Sequence, residues 1–339
     1  MSPLKKIFYQ ANNVFPLSFL KKISPIHTLL PYHHTVSDQH LPHIKHLYPY
    51  KNVAQFTTDL DILLKNYKIV TPADLLKSIE DNNILPKNTF LISFDDGFRE
   101  VYDIIAPILE QKGVPAIFFI NPAFIDNKRL FFRSKSSLLI DHLLNKKDDN
   151  EIIRIYADTL SIKDATVSEI ITTIKNIKIN NAAVIDNLAG KTGYSFEKFL
   201  AEQKPFLTTE NLAALQKRGF TIGGHSMTHP YYQQLNLQEQ LNETINSCKF
   251  IKDNTGMEKM YFSFPYSDEG LSQDLFDNIL KEDIDLLFGI QNQKNELNNK
   301  MLHRFNAERP DIDFEKQLKG LLTLNAVKKI AGKNSVKRN

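Results

Sequence analysis

The sequence predicts an α/β fold of short parallel strands alternating with helices, closed as a barrel or open as a doubly wound sheet, and broken once by a helical insertion. Three observations carry this expectation. Short apolar runs, such as 115–120 and 284–290, recur between segments whose apolar residues repeat at helical spacing. Start and stop signals punctuate the helices, with Thr71-Pro72 ahead of one and Gly113 and Gly219 behind two others. Between 126 and 205 the alternation lapses into Ile-, Leu-, Lys-, Asn- and Asp-rich chain with helical periodicity and no clear strand.

Taken in order, 28–32 reads as a buried strand entering His33-His34. Residues 53–67 put Phe56, Leu60, Leu63, Leu64 and Tyr67 on one helical face. A brief strand follows at 68–70, and Thr71 caps a helix at 73–79. The strand at 89–94 runs straight into Asp95-Asp96-Gly97, the helix at 101–112 ends at Gly113, and 115–120 is again a strand. Beyond the insertion, Thr208 or Thr209 caps a helix that reaches Arg218. Strands are expected at 220–224, 260–264, 284–290 and 301–306, with helices at 237–251, 271–281 and 314–324. Such alternation makes parallel β/α units. The expected division is an N-terminal segment 1–27, a core in two parts at 28–125 and 206–325, the insertion 126–205 and a basic tail 326–339.

Composition narrows the function classes. With 339 residues, 42% hydrophobic and 24% charged, the chain is ordinarily globular, with room for two domains or one domain with an insertion. The single cysteine, Cys248, excludes a disulfide framework and a cysteine-based zinc site. Net charge is +3, and Lys328, Lys329, Lys333, Lys337 and Arg338 crowd the last thirteen residues without an acid. The rest is near neutral, so the tail reads as a solvated terminus and no nucleic-acid partner is expected. No run approaches the roughly 18 apolar residues of a membrane span. Lys5 and Lys6 precede an apolar stretch that Gln10, Asn12, Asn13, Pro16 and Ser18 interrupt, and no cleavage site follows. The expectation is a chain that is cytoplasmic or peripheral to a membrane, with membrane contact through the termini as the lesser reading.

The chemistry concentrates at two predicted strand ends. Asp95 and Asp96 are neighbours whose side chains point to different sides, so one can bind a cation while the other serves as a base. A solvated Asp-Asp-Gly turn is the plainer alternative. His225 and His229 are four apart, which on a helical turn puts both imidazoles on one face. Two histidines and a carboxylate form a facial set with open positions, suited to Zn²⁺ or another borderline divalent ion.

Ser93-Phe94-Asp95-Asp96-Gly97, His225-Ser226-x-x-His229 and Phe262-Ser263-Phe264-Pro265-Tyr266 resemble, in order, the first three motifs of the polysaccharide deacetylases, carbohydrate esterase family four with its NodB-type homology domain. The segment from His34 to Asp38 is similar to a Tyr-His-x-Val stretch near the start of many members, with His33 in the tyrosine position. The resemblance spans roughly 28–125 and 208–310. It implies a distorted (β/α)7-type barrel that removes N- or O-acetyl groups from glycans. It also implies one divalent metal ion, with zinc the first choice, held by Asp96, His225 and His229. The metal would polarise the acetyl carbonyl and acidify a bound water whose proton Asp95 takes as general base. Pro265 and Tyr266 become substrate-binding residues, with a backbone N–H near Tyr266 holding the oxyanion. The implied partner is an acetylated glycan.

Two positions depart from the family pattern. The third motif has Ser263 where arginine is usual. The last motif, usually Leu-x-His, reads Leu302-His303-Arg304, closer to a Leu-Pro-Arg subgroup. The general acid is therefore open between His303 and His34. A carboxylate base wants a positive charge beside it, and residues 303 and 304 of a strand face opposite ways. The expectation is that Arg304 faces Asp95, that His303 points away and that His34 is the better acid. The altered motifs also motivate a rival reading, a catalytically idle carbohydrate-binding or scaffold protein that keeps the metal motif. His40, His43 and His46 read as surface or rim residues, His27 and His142 as structural. Tyr231 and Tyr232 read as packing residues, and Cys248 as a small core residue.

Overall fold

The computed structural model describes residues 15–82, 84–163, 165–296 and 298–338. They form two compact units, one from the chain up to residue 38, 50–125 and 207 onward, the other from 39–49 and 126–206.

In the first unit, helix α1 (Leu17–Ile23) precedes β1 (Thr28–Leu29) and β2 (Pro31–His33). Helix α2 (Val53–Asn66) opens on a capping box between Asn52 and Gln55, so the backbone N–H groups of both residues at the helix start are bonded. It leads through β3 (Lys68–Ile69) and α3 (Pro72–Asn82) to β4 (Thr89–Phe90) and β5 (Ile92–Phe94). The helix expected at 101–112 begins as a π-helical turn, Val101–Ile105, before α4 (Ala106–Gln111); β6 (Ala116–Ile120) follows. β1, β4 and β3 form a small parallel sheet that leads into the larger one.

The second unit carries α5 (Phe132–Asn145), α6 (Asn150–Thr159), α7 (Val167–Asn176), α8 (Ala182–Thr192) and α9 (Phe196–Gln203), with no strand between its described residues 126 and 205. Asp149, Thr166 and Ser195 cap three of these helices. Ile170, Ile174, Ile185 and Leu188 are buried among them, and the buried Tyr156 hydroxyl donates to the Leu139 carbonyl at 2.8 Å. The loop 39–49 belongs to this unit. There His40 and His46 both reach Asp141, but His43 is buried beside the Phe199 ring and is not a surface residue.

Returning to the first unit, α10 (Thr209–Lys217), β7 (Thr221–Gly224), α11 (Leu237–Thr255), β8 (Tyr261–Ser263), α12 (Gln273–Ile279), β9 (Leu286–Gly289), β10 (Met301–His303), β11 (Phe305–Asn306) and α13 (Phe314–Ile330) complete the alternation. The large sheet runs β10-β9-β8-β7-β6-β5-β2-β11, parallel throughout. Only Arg304 separates β10 from β11. Its N–H donates to the Gly289 carbonyl at 2.8 Å, and the next N–H, of Phe305, donates to Leu30 at 3.0 Å. One segment, 301–306, is thus bonded to β9 on one side and β2 on the other, which closes a seven-stranded β/α barrel. The expected fold class is borne out.

The strands carry few polar residues because both of their faces are covered. All five residues of β6 are buried, and Phe94, Phe118 and Phe220 continue one core while Phe119, Phe288 and Leu302 line another. Gly223 and Gly224 are required by close approach: a Cβ on Gly223 would stand 2.6 Å from the Tyr261 carbonyl, and one on Gly224 2.7 Å from Ser247 Oγ. The Gly-Gly pair therefore lets β7 sit against β8 and α11 just before His225.

The C-terminal segment departs from the solvated tail expected. Asn295 donates its N–H to the Asn334 carbonyl and accepts that of Val336, each at 2.8 Å, and the Arg338 side chain is buried, donating to Asp268 at 2.8 Å and Glu296 at 2.7 Å over the face of Phe276. Those two acids lie outside the tail, which is why its own basic composition gave no sign of them.

Candidate active site

The C-terminal ends of β5 and β7 supply the donors. Asp95 N–H is bonded to the His33 carbonyl at 2.9 Å, and immediately afterwards Asp96 turns to φ 73° and Gly97 to φ 66°. A left-handed turn there swings the Asp96 carboxylate away from that of Asp95. The histidine segment is a loop with Ser226 at φ 67° and His229 at φ 57°, not the helical turn that the four-residue spacing suggests. The two left-handed residues fold His229 back toward His225, bringing the rings to 5.1 Å. Four of the non-glycine residues with positive φ, counting Tyr266 at 54°, lie at this one place. Strained backbone of this kind clusters where function fixes the geometry.

Asp96 Oδ1 lies 3.5 Å from His225 Nε2 and 3.3 Å from His229 Nε2, and the three donor atoms fall within 4.8 Å of one another. His225 Nδ1 is 2.8 Å from the Ser263 carbonyl, which can only accept, so that nitrogen carries the proton and Nε2 offers its lone pair. Two imidazole nitrogens and one carboxylate oxygen, with Asp96 and His225 buried and His229 half-buried, are the donor chemistry of a borderline divalent cation, and the residues fit one. Burial opposes charge on Asp96, yet the nearness of His229 and His225 holds its carboxyl well below the ordinary range. His229, for its part, is lowered by burial more than Asp96 raises it, which favours the neutral ring.

Polar partners fasten the loop. The Asn121 amide, at the end of β6, donates to the carbonyls of His225 and Ser226, the latter at 3.0 Å. Glu243 on α11 takes the Thr228 N–H and hydroxyl, each at 2.8 Å, and Ser226 Oγ accepts the His229 N–H at 3.1 Å. The sequence reading missed Asn121 and Glu243. Asn121 could have been found, because it is the polar residue that ends an otherwise apolar strand.

Arg304 faces inward, 1% exposed. Its Nη1 donates to Asp95 Oδ1 at 2.7 Å and Nη2 to Asp95 Oδ2 at 2.8 Å, a bidentate fork. It also donates to Ser93 Oγ at 2.9 Å and to Ser263 Oγ, and lies over the Tyr32 and Phe119 rings. A guanidinium from the last strand thus reaches the very residue that stands where arginine was expected. Burial would raise the Asp95 carboxyl, but Arg304 first, then His225, hold it below its usual value.

His303 is not brought to these residues. It is buried with Nε2 2.9 Å from Glu296, in the cluster completed by Asp268 and Arg338. His34 takes the other course: Nδ1 lies 2.8 Å from Glu308 Oε2, and Glu308 also accepts the N–H groups of His34 and Thr35. Burial alone would lower its pKa, but Glu308, with Asp96 and Asp95 behind it, raises it to about 9. Glu308 was also unforeseen, two residues past the last strand. The His33 ring is buried between Phe56 and Phe94, and it is the His33 carbonyl that meets Asp95. At the rim, Tyr266 stacks on Tyr231 at 3.9 Å and meets His229 edge-on at 4.4 Å; Tyr232 is buried on Thr244 and Phe264. Pro265, just before Tyr266, is buried.

The family profile described as "Polysaccharide deacetylase" matches residues 82–282 of the 339. The chain belongs to the polysaccharide deacetylase family. It is accordingly an enzyme, a hydrolase of carbon–nitrogen bonds other than peptide bonds. Its fold is similar to that of Streptococcus pyogenes deacetylase PplD in complex with acetate, with TM-score 0.56, 12% identity, and 88% of this chain and 99% of that one covered. IcaB from Ammonifex degensii gives 0.54 at 15% identity, covering 88% and 98%. A de-N-acetylase from Aggregatibacter actinomycetemcomitans gives 0.53 at 14%, covering 87% and 100%. At such identities these deacetylases support the fold. No curated protein sequence matches the chain.

Proposed function

We propose that the chain hydrolyses acetyl groups from an N-acetylated glycan in a metal-dependent reaction, with Asp96, His225 and His229 holding one divalent cation and Asp95 as general base. The observation that carries this reading is a three-donor set beside a second carboxylate gripped by its own arginine. A binder that only kept the cation would have no use for that second carboxylate, so nothing favours the idle alternative. Zinc is the first choice for two imidazoles and one carboxylate. When bound, the cation supplies Lewis-acid polarisation of the acetyl carbonyl and acidifies water at the site.

The chain's own residues do the rest. Asp95, kept ionised by Arg304, takes the proton from the attacking water. The arginine fork fixes both carboxylate oxygens, so the direction of the basic lone pair is set before substrate arrives. The Tyr266 backbone N–H donates to the oxyanion as the carbonyl becomes tetrahedral. His34, protonated through Glu308, gives its proton to the leaving nitrogen as the C–N bond breaks; His303, bonded to Glu296, is left out. Pro265 holds the turn, and the stacked Tyr231 and Tyr266 offer an aromatic edge to a sugar ring.

The test measures metal content and acetate release from a panel of N-acetylated glycans. Wild type should carry about one equivalent of metal and lose activity on chelation. His229→Ala should lose the metal. Asp95→Asn should keep it and lose acetate release by about 10²-fold or more. An Asp95→Asn enzyme of near wild-type activity would remove the proposed base.

A further inference from the structure

The opposite end of the barrel carries a surface that the reaction does not use. Among the described residues, nine large apolar side chains are exposed, and six of them gather at the N-terminal end of the strands: Phe15, Phe19, Ile23, Ile84, Val327 and Ile330. Their positions follow from the topology. Helix α1 ends just before β1, α3 ends before β4, and α13 runs back from the last strand, so these helix ends lie on the N-terminal side of the strands, where Ile23, Ile84 and Lys329 line one cleft. On α1, Phe19 and Ile23 stand at i and i+4 spacing, and Phe15, just ahead of the N-cap Pro16, stacks on Phe19 at 5.4 Å to extend the stripe. Leu17 and Leu20 already bury the other side of that helix in the core shared with Leu318, Leu321 and Leu322 of α13. The exposed stripe is therefore surplus to folding. Ile330 at the end of α13 is 89% exposed.

Charge borders the same patch. An open cleft of about 960 Å³ is lined by Ile23 and Ile84 together with Lys21, Lys22, Lys87, Lys294 and Lys329. Its one lining carboxylate, Glu296, is already held by His303 and Arg338. Helix α1 and the chain from Leu324 to Arg338 contain no acid at all. Burial and the neighbouring Lys294 lower the pKa of Lys328. No helix among the described residues is long and apolar enough to cross a membrane.

We propose that this face is a docking surface for an anionic lipid bilayer, with Phe15, Phe19, Ile23 and Ile330 entering the headgroup–acyl boundary and the lysines meeting lipid phosphates. Apolar residues rimmed by an excess of lysines are the combination that binds interfacially, where area and charge add. A soluble acidic protein would satisfy the lysines but leaves the projecting Ile330 and the phenylalanine stripe unexplained, since it must supply a matching groove. The orientation has a consequence. Docking at the N-terminal strand ends turns the strand ends that bear Asp95, Asp96 and His225 away from the bilayer, toward a glycan on the far side.

The experiment is co-sedimentation of the full chain with vesicles of phosphatidylcholine alone or mixed with phosphatidylglycerol. The chain should pellet with the mixed vesicles and stay in solution with the neutral ones. Lys22→Glu/Lys329→Glu should weaken partitioning by at least about 30-fold, the share of two lysines near an anionic surface. Phe19→Ser/Ile23→Ser/Ile330→Ser, all at exposed positions, should abolish it at any salt concentration. Both variants keep every site residue, so acetate release without vesicles should match wild type. Wild-type protein that stays in solution with phosphatidylglycerol vesicles overturns the proposal, as does undiminished binding by either variant. Loss of acetate release in vesicle-free solution also overturns it, because the face would then serve the fold.

Discussion

Asp95 and Asp96 are chemically identical and adjacent, yet their surroundings separate their tasks. Asp96 meets two imidazoles, Asp95 a guanidinium, and a left-handed turn keeps the two carboxylates apart. The planar fork matters as much as the charge. Arg304→Lys should retain metal and Asp95 ionisation but lose the second oxygen contact, lowering kcat by about 10²-fold with little change in KM. Steady-state kinetics with metal analysis checks this; unchanged turnover would reduce Arg304 to a structural ion pair. Much of this was legible from sequence. The Asp-Asp and His-x-x-x-His groups sit at strand ends, and strand parity alone separates Arg304 from His303. Glu308 was not legible, because its partner His34 lies 274 positions away and no local pattern marks the pair.

The elements do their part through loops pinned from outside. The loop from His225 to His229 has no regular hydrogen bonding of its own and depends on Asn121 from β6 and Glu243 from α11. Asn121→Ala should therefore loosen both ligands and weaken metal affinity by about 10- to 100-fold, the cost typical of removing an outer-shell partner. Competition with a chelator measures it, and wild-type affinity in that variant would mean the loop holds itself. The alternation of strands and helices was readable because each element has its own period and punctuation. The left-handed loop was not, because a four-residue histidine spacing fits a helix equally well. The barrel's closure was legible only through the family resemblance: it depends on 301–306 changing partners at Arg304, which is a property of pairing and not of composition.

At the scale of the whole molecule, buried charge outside the site makes stability depend on pH in two opposite ways. The C-terminal segment was read as solvated because its composition is basic, but Arg338 closes a cluster with Asp268, Glu296 and His303. Arg338→Ala should cost about 3–5 kcal/mol in urea unfolding, since it strands two buried carboxylates. Burial would raise Asp268, but His303 and Arg338 hold it below 3.8. A group depressed on folding stabilises above its unfolded pKa, so this contribution is lost as pH falls below about 4.

Asp59 on α2 works in the other direction. It is buried against Lys51, and Lys51 lies over the Phe314 ring at 5.0 Å, so the pair ties the start of α2 to the start of α13. Burial dominates and raises its pKa from 3.8 to about 6, Lys51 offsetting only part. A group raised on folding gives its full stabilisation below the unfolded value and loses it as pH climbs through the folded one. Between about pH 4 and 6 the folded chain therefore binds a proton that the unfolded chain releases. Asp59→Asn cannot titrate, so the stability difference between wild type and variant should fall across that interval and level off above about pH 7. Urea unfolding of both proteins at a series of pH values reads the slope directly. A difference that does not change with pH would mean that Lys51 compensates the carboxylate fully and that Asp59 is ionised throughout.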